Sequence, residues 1–159
     1  MDMYKKECGA FIRTTRASVQ GVAKLVAIPA SFGGRCAIVM EYCGPFSLAK
    51  VIELDVAARL GHGGFGVSTT DEKDIISTIA KKDIMGQLMN AVLGLNSIGL
   101  AHNDMNATNV MVERKHTGNN ASFYLRATVV DLGTATVLAN DGTSELPMTG
   151  SPEYVDPQV

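Results

Sequence analysis

His102-Asn103-Asp104-Met105-Asn106-Ala107-Thr108-Asn109 places a carboxylate and a carboxamide five residues apart, directly ahead of the apolar run Val110-Met111-Val112. On a tight loop these two groups can serve the two ends of one phosphoryl transfer. The Asp accepts the proton of an attacking hydroxyl, and the Asn amide oxygen helps hold a Mg²⁺ ion. A second carboxylate, Asp131, ends the apolar stretch Val129-Val130 and is followed by Leu132-Gly133. An apolar strand that delivers an acid at its end can present a metal ligand to the first loop. Taken singly, each group has an ordinary alternative: Asp104 can cap a turn, Asn109 can support one, and an Asp close to a Gly is common turn chemistry. Their order and spacing together favour the chemical reading.

A third segment, Gly150-Ser151-Pro152-Glu153-Tyr154-Val155-Asp156-Pro157-Gln158, lies near the end of the chain. The three segments in this order resemble the catalytic loop, the metal-binding D-F-G and the A-P-E of the protein kinases. The resemblance implies Asp104 as the catalytic base, Asn109 and Asp131 as Mg²⁺ ligands, ATP as donor and a protein Ser/Thr hydroxyl as acceptor. It gives His102 a structural place beneath the metal-binding segment and no chemical role.

The elements that would position these groups follow from periodicity and turn chemistry. Within residues 1–20, Ala10, Phe11 and Ile12 fit a short amphipathic helix. Leu25-Val26-Ala27-Ile28, ended by Pro29, reads as a strand, Gly33-Gly34 as a turn, and Cys36-Ala37-Ile38-Val39-Met40 as a second strand of a hairpin. Glu41-Tyr42-Cys43-Gly44-Pro45 breaks it, and Phe46 to Ile52 starts a short helix. The hairpin and break resemble the last N-lobe strands and hinge of a kinase. That likeness makes Met40 the gatekeeper and lets Glu41 and Cys43 offer a carbonyl and an amide to adenine.

Residues 54–72 are the least regular stretch. Gly61-His62-Gly63-Gly64-Phe65-Gly66 matches G-x-G-x-x-G, but it follows the hinge and no Val/Ile strand precedes it, so it reads as a glycine-rich connection rather than a phosphate loop. Residues 73–98 carry the longest helical pattern, with Ile75, Ile79, Ile84, Leu88, Val92, Leu95 and Ile98 on one stripe, Thr70 or Asp71 as N-cap and Gly99 as stop. Leu100-Ala101 then leads as a strand into His102. Two more strands, Val110–Val112 and Phe123–Val130, flank the turn-forming Thr117-Gly118-Asn119-Asn120. From Gly133 a polar segment with Thr134, Thr136, Thr143 and Ser144 resembles an activation loop.

Bulk composition limits the remaining classes. The chain has 159 residues, 46% of them hydrophobic, enough for one domain with a core. A net charge of -2 provides no general attraction to nucleic acid or anionic membranes. Cys8, Cys36 and Cys43 are an odd number without metal-ligand spacing and read as reduced thiols. No signal segment or membrane span is legible, so the expectation is an intracellular, cytoplasmic protein with a protein substrate or partner.

The expected fold is α+β, a partial protein-kinase domain, with residues 1–43 as the end of an N-lobe and hinge and 44–159 as the first half of a mostly helical C-lobe. The upstream glycine-rich loop and phosphate-pairing Lys of the family have no counterpart; Glu7 is the only acid placed to meet such a Lys, and Lys24 is a poor substitute. The expectation is therefore a domain truncated at both ends and inactive alone, with an apolar helix face left exposed. Asn103 stands where the family has the Arg that pairs with a phosphorylated activation loop. Asn106 stands where Ser/Thr kinases have a phosphate-facing Lys, so Asn106→Lys is expected to raise turnover. These departures keep two alternatives open: a pseudokinase acting as a nucleotide-binding or scaffold module, and a small-molecule phosphotransferase of the choline- or aminoglycoside-kinase type, whose loops often read His-Asn-Asp.

Overall fold

Apolar and small side chains at Cys8, Ala10, Phe11 and Thr14 recur at helical spacing, and in the computed structural model they form the buried face of α1 (Asp2–Arg16). The structure describes residues 2–28, 37–59, 76–116 and 123–138. The glycine-rich 61–66 segment, the 117–120 turn, Cys36 and the 150–158 segment lie outside them. The helix is longer than the short segment expected around Ala10–Ile12, and Phe11, fully buried, anchors it. Burying a side chain of that size contributes about 1.5–3 kcal/mol.

The described residues form an α+β fold of three helices and three small antiparallel sheets. Strand β1 (Leu25–Ala27) pairs with β2 (Val39–Met40), the expected hairpin, though β2 is shorter than the expected strand because Ala37 and Ile38 join no ladder. Phe46–Ser47 do not begin a helix; they form β3, with Phe46 opposite Val112 and Ser47 opposite Met111. The chain turns helical only at α2 (Leu48–Arg59), where the Ser47 hydroxyl accepts the Lys50 N–H at 3.3 Å. Residues 54–59, read as irregular, continue this helix.

The long helix α3 spans Thr78–Ser97 rather than starting near 73, and its N-cap is Ser77, whose hydroxyl accepts from Ala80 N at 3.2 Å. Ile76, buried just ahead of the cap, donates its N–H to Asp55 Oδ1 at 3.1 Å, while Lys81 Nζ lies 3.1 Å from Asp55 Oδ2. A buried carboxylate on α2 thus stops the start of α3 from shifting. Breaking it leaves a buried backbone donor unsatisfied, a cost of about 1–3 kcal/mol. At the other end Gly99 takes φ 68, the left-handed conformation that closes a helix, as its position suggested.

Of the expected stripe on α3, Ile84 and Leu95 are buried and Leu88 and Val92 partly so, while Ile79 is 80% exposed. Ala91 is fully buried in its place beside Gly21. Met85, Met89 and Leu93 stay exposed on the opposite face. Among the described residues no helix is long and apolar enough to cross a membrane.

Strands β4 (Leu100–Ala101), β5 (Val110–His116) and β6 (Phe123–Val129) follow, and β7 (Thr136–Val137) returns to pair with β4. The β5–β6 ladder runs in register from Val110 opposite Val129 to His116 opposite Phe123. Gln87 on α3 spans the outer edge of β6, donating to Leu125 O and accepting from Ala127 N, both at 2.8 Å. On the same strand Val129 N donates to Gly21 O and accepts Ala23 N–H at its carbonyl. One core, including Phe11, Cys43, Leu95, Leu100, Val129 and Leu132, therefore joins α1, the 40–44 segment, α3 and the end of β6.

Candidate active site

The loop after β4 is built from side chains that bond to backbone. Asn106, buried, is the N-cap of a single 3₁₀ turn, Ala107–Asn109; its Oδ1 accepts from Thr108 N at 2.9 Å, Asn109 N at 3.2 Å and the Thr108 hydroxyl. Its Nδ2 donates to Asp104 Oδ1 at 3.0 Å. Asn109 Nδ2 donates to both the carbonyl and Oδ2 of Asp104, each at 2.9 Å. Two carboxamides therefore hold the two oxygens of Asp104 and fix its orientation.

This geometry bears on Asn106→Lys, which the kinase resemblance expects to raise turnover. Asn106 uses its Oδ1 to cap the turn and its Nδ2 to hold Asp104. A Lys there has no acceptor to offer the two backbone N–H groups, so Asn106→Lys breaks the loop instead of adding a useful cation.

His102 anchors the loop from below. It is buried, its Nε2 meets Val130 O at 3.2 Å, and its Nδ1 accepts Asp104 N–H at 3.3 Å. These partners define the neutral tautomer with hydrogen on Nε2. Burial pushes its pKa below 6.5, outweighing the hydrogen bond to Val130 and the charges of Asp131 and Asp104, which act to raise it. Asn109 O accepts Val130 N–H at 2.9 Å, so both ends of the loop are tied to the residue immediately before Asp131.

Asp131 itself has φ 59, and its Oδ1 accepts Gly133 N–H at 3.1 Å. It is exposed, and among the described residues no Lys or Arg pairs with it. Glu7 of α1 lies close enough to feel it: burial, and secondly the Asp131 charge, raise the Glu7 carboxyl above 4.5. Among the described residues no three His, Cys, Asp or Glu side chains converge as a metal cage. Asp131 brings a hard carboxylate, and Asn109, tied to the preceding Val130 through its backbone carbonyl, has an amide oxygen as a second hard donor. Such a partial set suits Mg²⁺ completed by phosphate and water oxygens.

Asn103, also at positive φ (62), donates to Thr134 O at 3.1 Å and to Thr136 Oγ1 at 2.9 Å. Thr134 returns a hydroxyl bond to His102 O at 2.8 Å. Neutral groups thus hold the segment after Asp131 against the loop, together with the β4–β7 pair. The sequence marked Asn103 only as a missing Arg; its Thr partners lie more than thirty residues away.

The 40–44 segment stands apart from this network but shares its core. Met40 packs against the cluster that contains Cys43 and Leu132. Glu41 donates its N–H to Lys24 O at 2.9 Å, and its carbonyl accepts the Cys43 thiol at 3.2 Å. Burial, then the Glu41 charge, raise the Cys43 thiol above 9.0, so it stays protonated. Cys8 and Cys43 are both free and buried. The Cys43 backbone N–H has no acceptor among the described residues. Gly44, at φ 126, lies so close to β5 that a Cβ would overlap the Val112 carbonyl.

Comparison with known proteins returns no matching family model and no matching curated protein.

Proposed function

We propose that this chain is a kinase-like phosphotransferase that moves the terminal phosphoryl group of Mg·ATP to a hydroxyl, that of a protein Ser or Thr. The observation that carries the reading is the junction of the two acidic segments. Asn109 O and His102 bond the two sides of Val130, so that Asp104, Asn109 and Asp131 stand on one connected framework. In this reading Asp104, oriented by Asn106 and Asn109, takes the proton of the acceptor hydroxyl. Asp131 and the Asn109 amide oxygen hold Mg²⁺, whose charge offsets that of the phosphates. Met40, Glu41 and Cys43 border the base; the open Cys43 N–H is the donor, and the Glu41 carbonyl exchanges its weak thiol bond for one from adenine.

One observation favours a second reading, a nucleotide-binding scaffold without transfer. Among the described residues neither Asp131 nor Glu7 has a Lys or Arg partner, so the cation that would hold the phosphates is not visible. Thermal unfolding of the protein with ATP, with and without Mg²⁺, tests the shared nucleotide site. A rise in Tm that requires Mg²⁺ and disappears in Asp131→Asn and Asn109→Ala is expected. A rise that survives Asp131→Asn sinks the metal assignment. Binding without turnover in the full-length wild-type protein leaves only the scaffold.

A further inference from the structure

A cavity of 260 Å³ lies between α3, β6 and the 19–24 turn, away from the Asp104 loop, and neither reading above uses it. Its polar lining is Gln20, Lys24, Glu41, Gln87, Asn90, Arg126 and Thr128, set among the apolar walls of Val19, Val22 and Ala127.

Three features set this lining apart from an ordinary surface dent. Thr128 is only 3% exposed and lines the cavity, yet its hydroxyl makes no hydrogen bond among the described residues. That hydroxyl is therefore open to a partner that enters the cavity. Arg126, which also lines the cavity, has its Nη2 at 3.2 Å from Glu113 Oε2. Lys24 and Glu41 are tied by a backbone hydrogen bond, and both line the cavity, yet their opposite charges make no ion pair. Gln87 is already committed to the edge of β6 and Gln20 donates to Ser18 O at 3.4 Å, which leaves Asn90 as the free amide.

We infer that this cavity is a binding site for a small zwitterion of the α-amino-acid class. Its carboxylate meets Lys24, the Arg126 side and the Thr128 hydroxyl, and its ammonium meets the Glu41 carboxylate. Both signs of charge flank the space unpaired, which fits a ligand carrying both and disfavours a simple anion, since Glu41 would repel it. The volume is just under the range of drug-sized ligands, as a metabolite this small requires.

Calorimetric titration of the intact protein with the standard L-α-amino acids, with propionate and ethylamine as probes that keep one charge each, tests the site. At least one amino acid is expected to saturate at millimolar concentration or below, and neither single-charge probe to do so. Thr128→Val and the exposed Lys24→Met are each expected to weaken binding about tenfold or more, the scale of one hydrogen bond to a charged group. Lys24→Met removes no core contact, so it remains informative if Thr128→Val fails to fold. Absence of saturable binding, equal binding of propionate, or unchanged affinity in Lys24→Met overturns the proposal. The titration contains no nucleotide, so its outcome and that of the phosphotransfer reading are independent.

Discussion

The loop from His102 to Asn109 and the segment from Met40 to Gly44 meet the same core but are held in place by different means. In the loop, side chains hold the backbone: Asn103, Asn106, Asn109 and His102 each bond to a main-chain atom, and Thr134 bonds back to His102 O. In the 40–44 segment, backbone and burial do the holding, through Glu41 N to Lys24 O, the buried Cys43 and the approach of Gly44 to Val112. Side-chain bonding of this kind specifies residue types, because only an amide or imidazole supplies those donors and acceptors. Backbone pairing is indifferent to side chain, except where there is no room for one.

The largest effect should come from the centre of the loop. Asp104→Asn removes the one carboxylate held by both amides, and general-base assistance is typically worth about a hundred- to ten-thousand-fold. Phosphotransfer turnover is expected to fall by that order with nucleotide affinity nearly unchanged; equal turnover would end the proposed chemistry while leaving the structural comparison untouched.

Next is the one residue type the 40–44 segment does demand. Gly44→Ala forces a Cβ into the Val112 carbonyl at a backbone angle that favours glycine, and should cost at least about 2 kcal/mol in denaturant unfolding. Tyr42→Ala, 69% exposed in the same segment, should fall within about 0.5 kcal/mol of wild type. Similar losses at both positions would show that side chains matter here as they do in the loop.

Asn106→Lys deletes a helix-type cap and one support of Asp104, for a loss of about 1–2 kcal/mol in stability. Turnover, where measurable, is expected to fall as well. A gain in turnover would mean that Asn106 is free to face a phosphate, and would contradict the loop geometry.

The smallest effect is a pH dependence. The folded His102 pKa lies below its unfolded 6.5, so between those values the unfolded chain binds more protons. Its contribution is fully present above pH 6.5 and is lost as pH falls through the folded value. Protonation also turns Nδ1 into a donor against Asp104 N–H. Unfolding free energy measured from pH 7.5 to 5 should decline at the acid end, and His102→Gln should flatten part of that decline; an identical slope in the variant would remove His102 from the account.

What the sequence determined by itself is local. The turn at Gly99 and the juxtaposition of Asp104 with Asn109 depend on neighbours within a few residues, and the strands before Asp131 and the hairpin ahead of Glu41 on runs adjacent along the chain, where spacing and residue type limit geometry directly. Tertiary structure decided whatever depended on a distant partner. Phe46–Ser47 became a strand because Met111 and Val112 offered an open edge, and α3 began at Thr78 because Asp55 holds the residues just ahead of it. Asn106, legible only as an absent lysine, proved to be a cap, and Asn103 a tie to Thr134 and Thr136. Glu7 came to face the charge of Asp131 from a helix more than a hundred residues away. A side chain's bonding capacity is written in its residue type, but which groups fill it is set only when the folded chain brings them within reach.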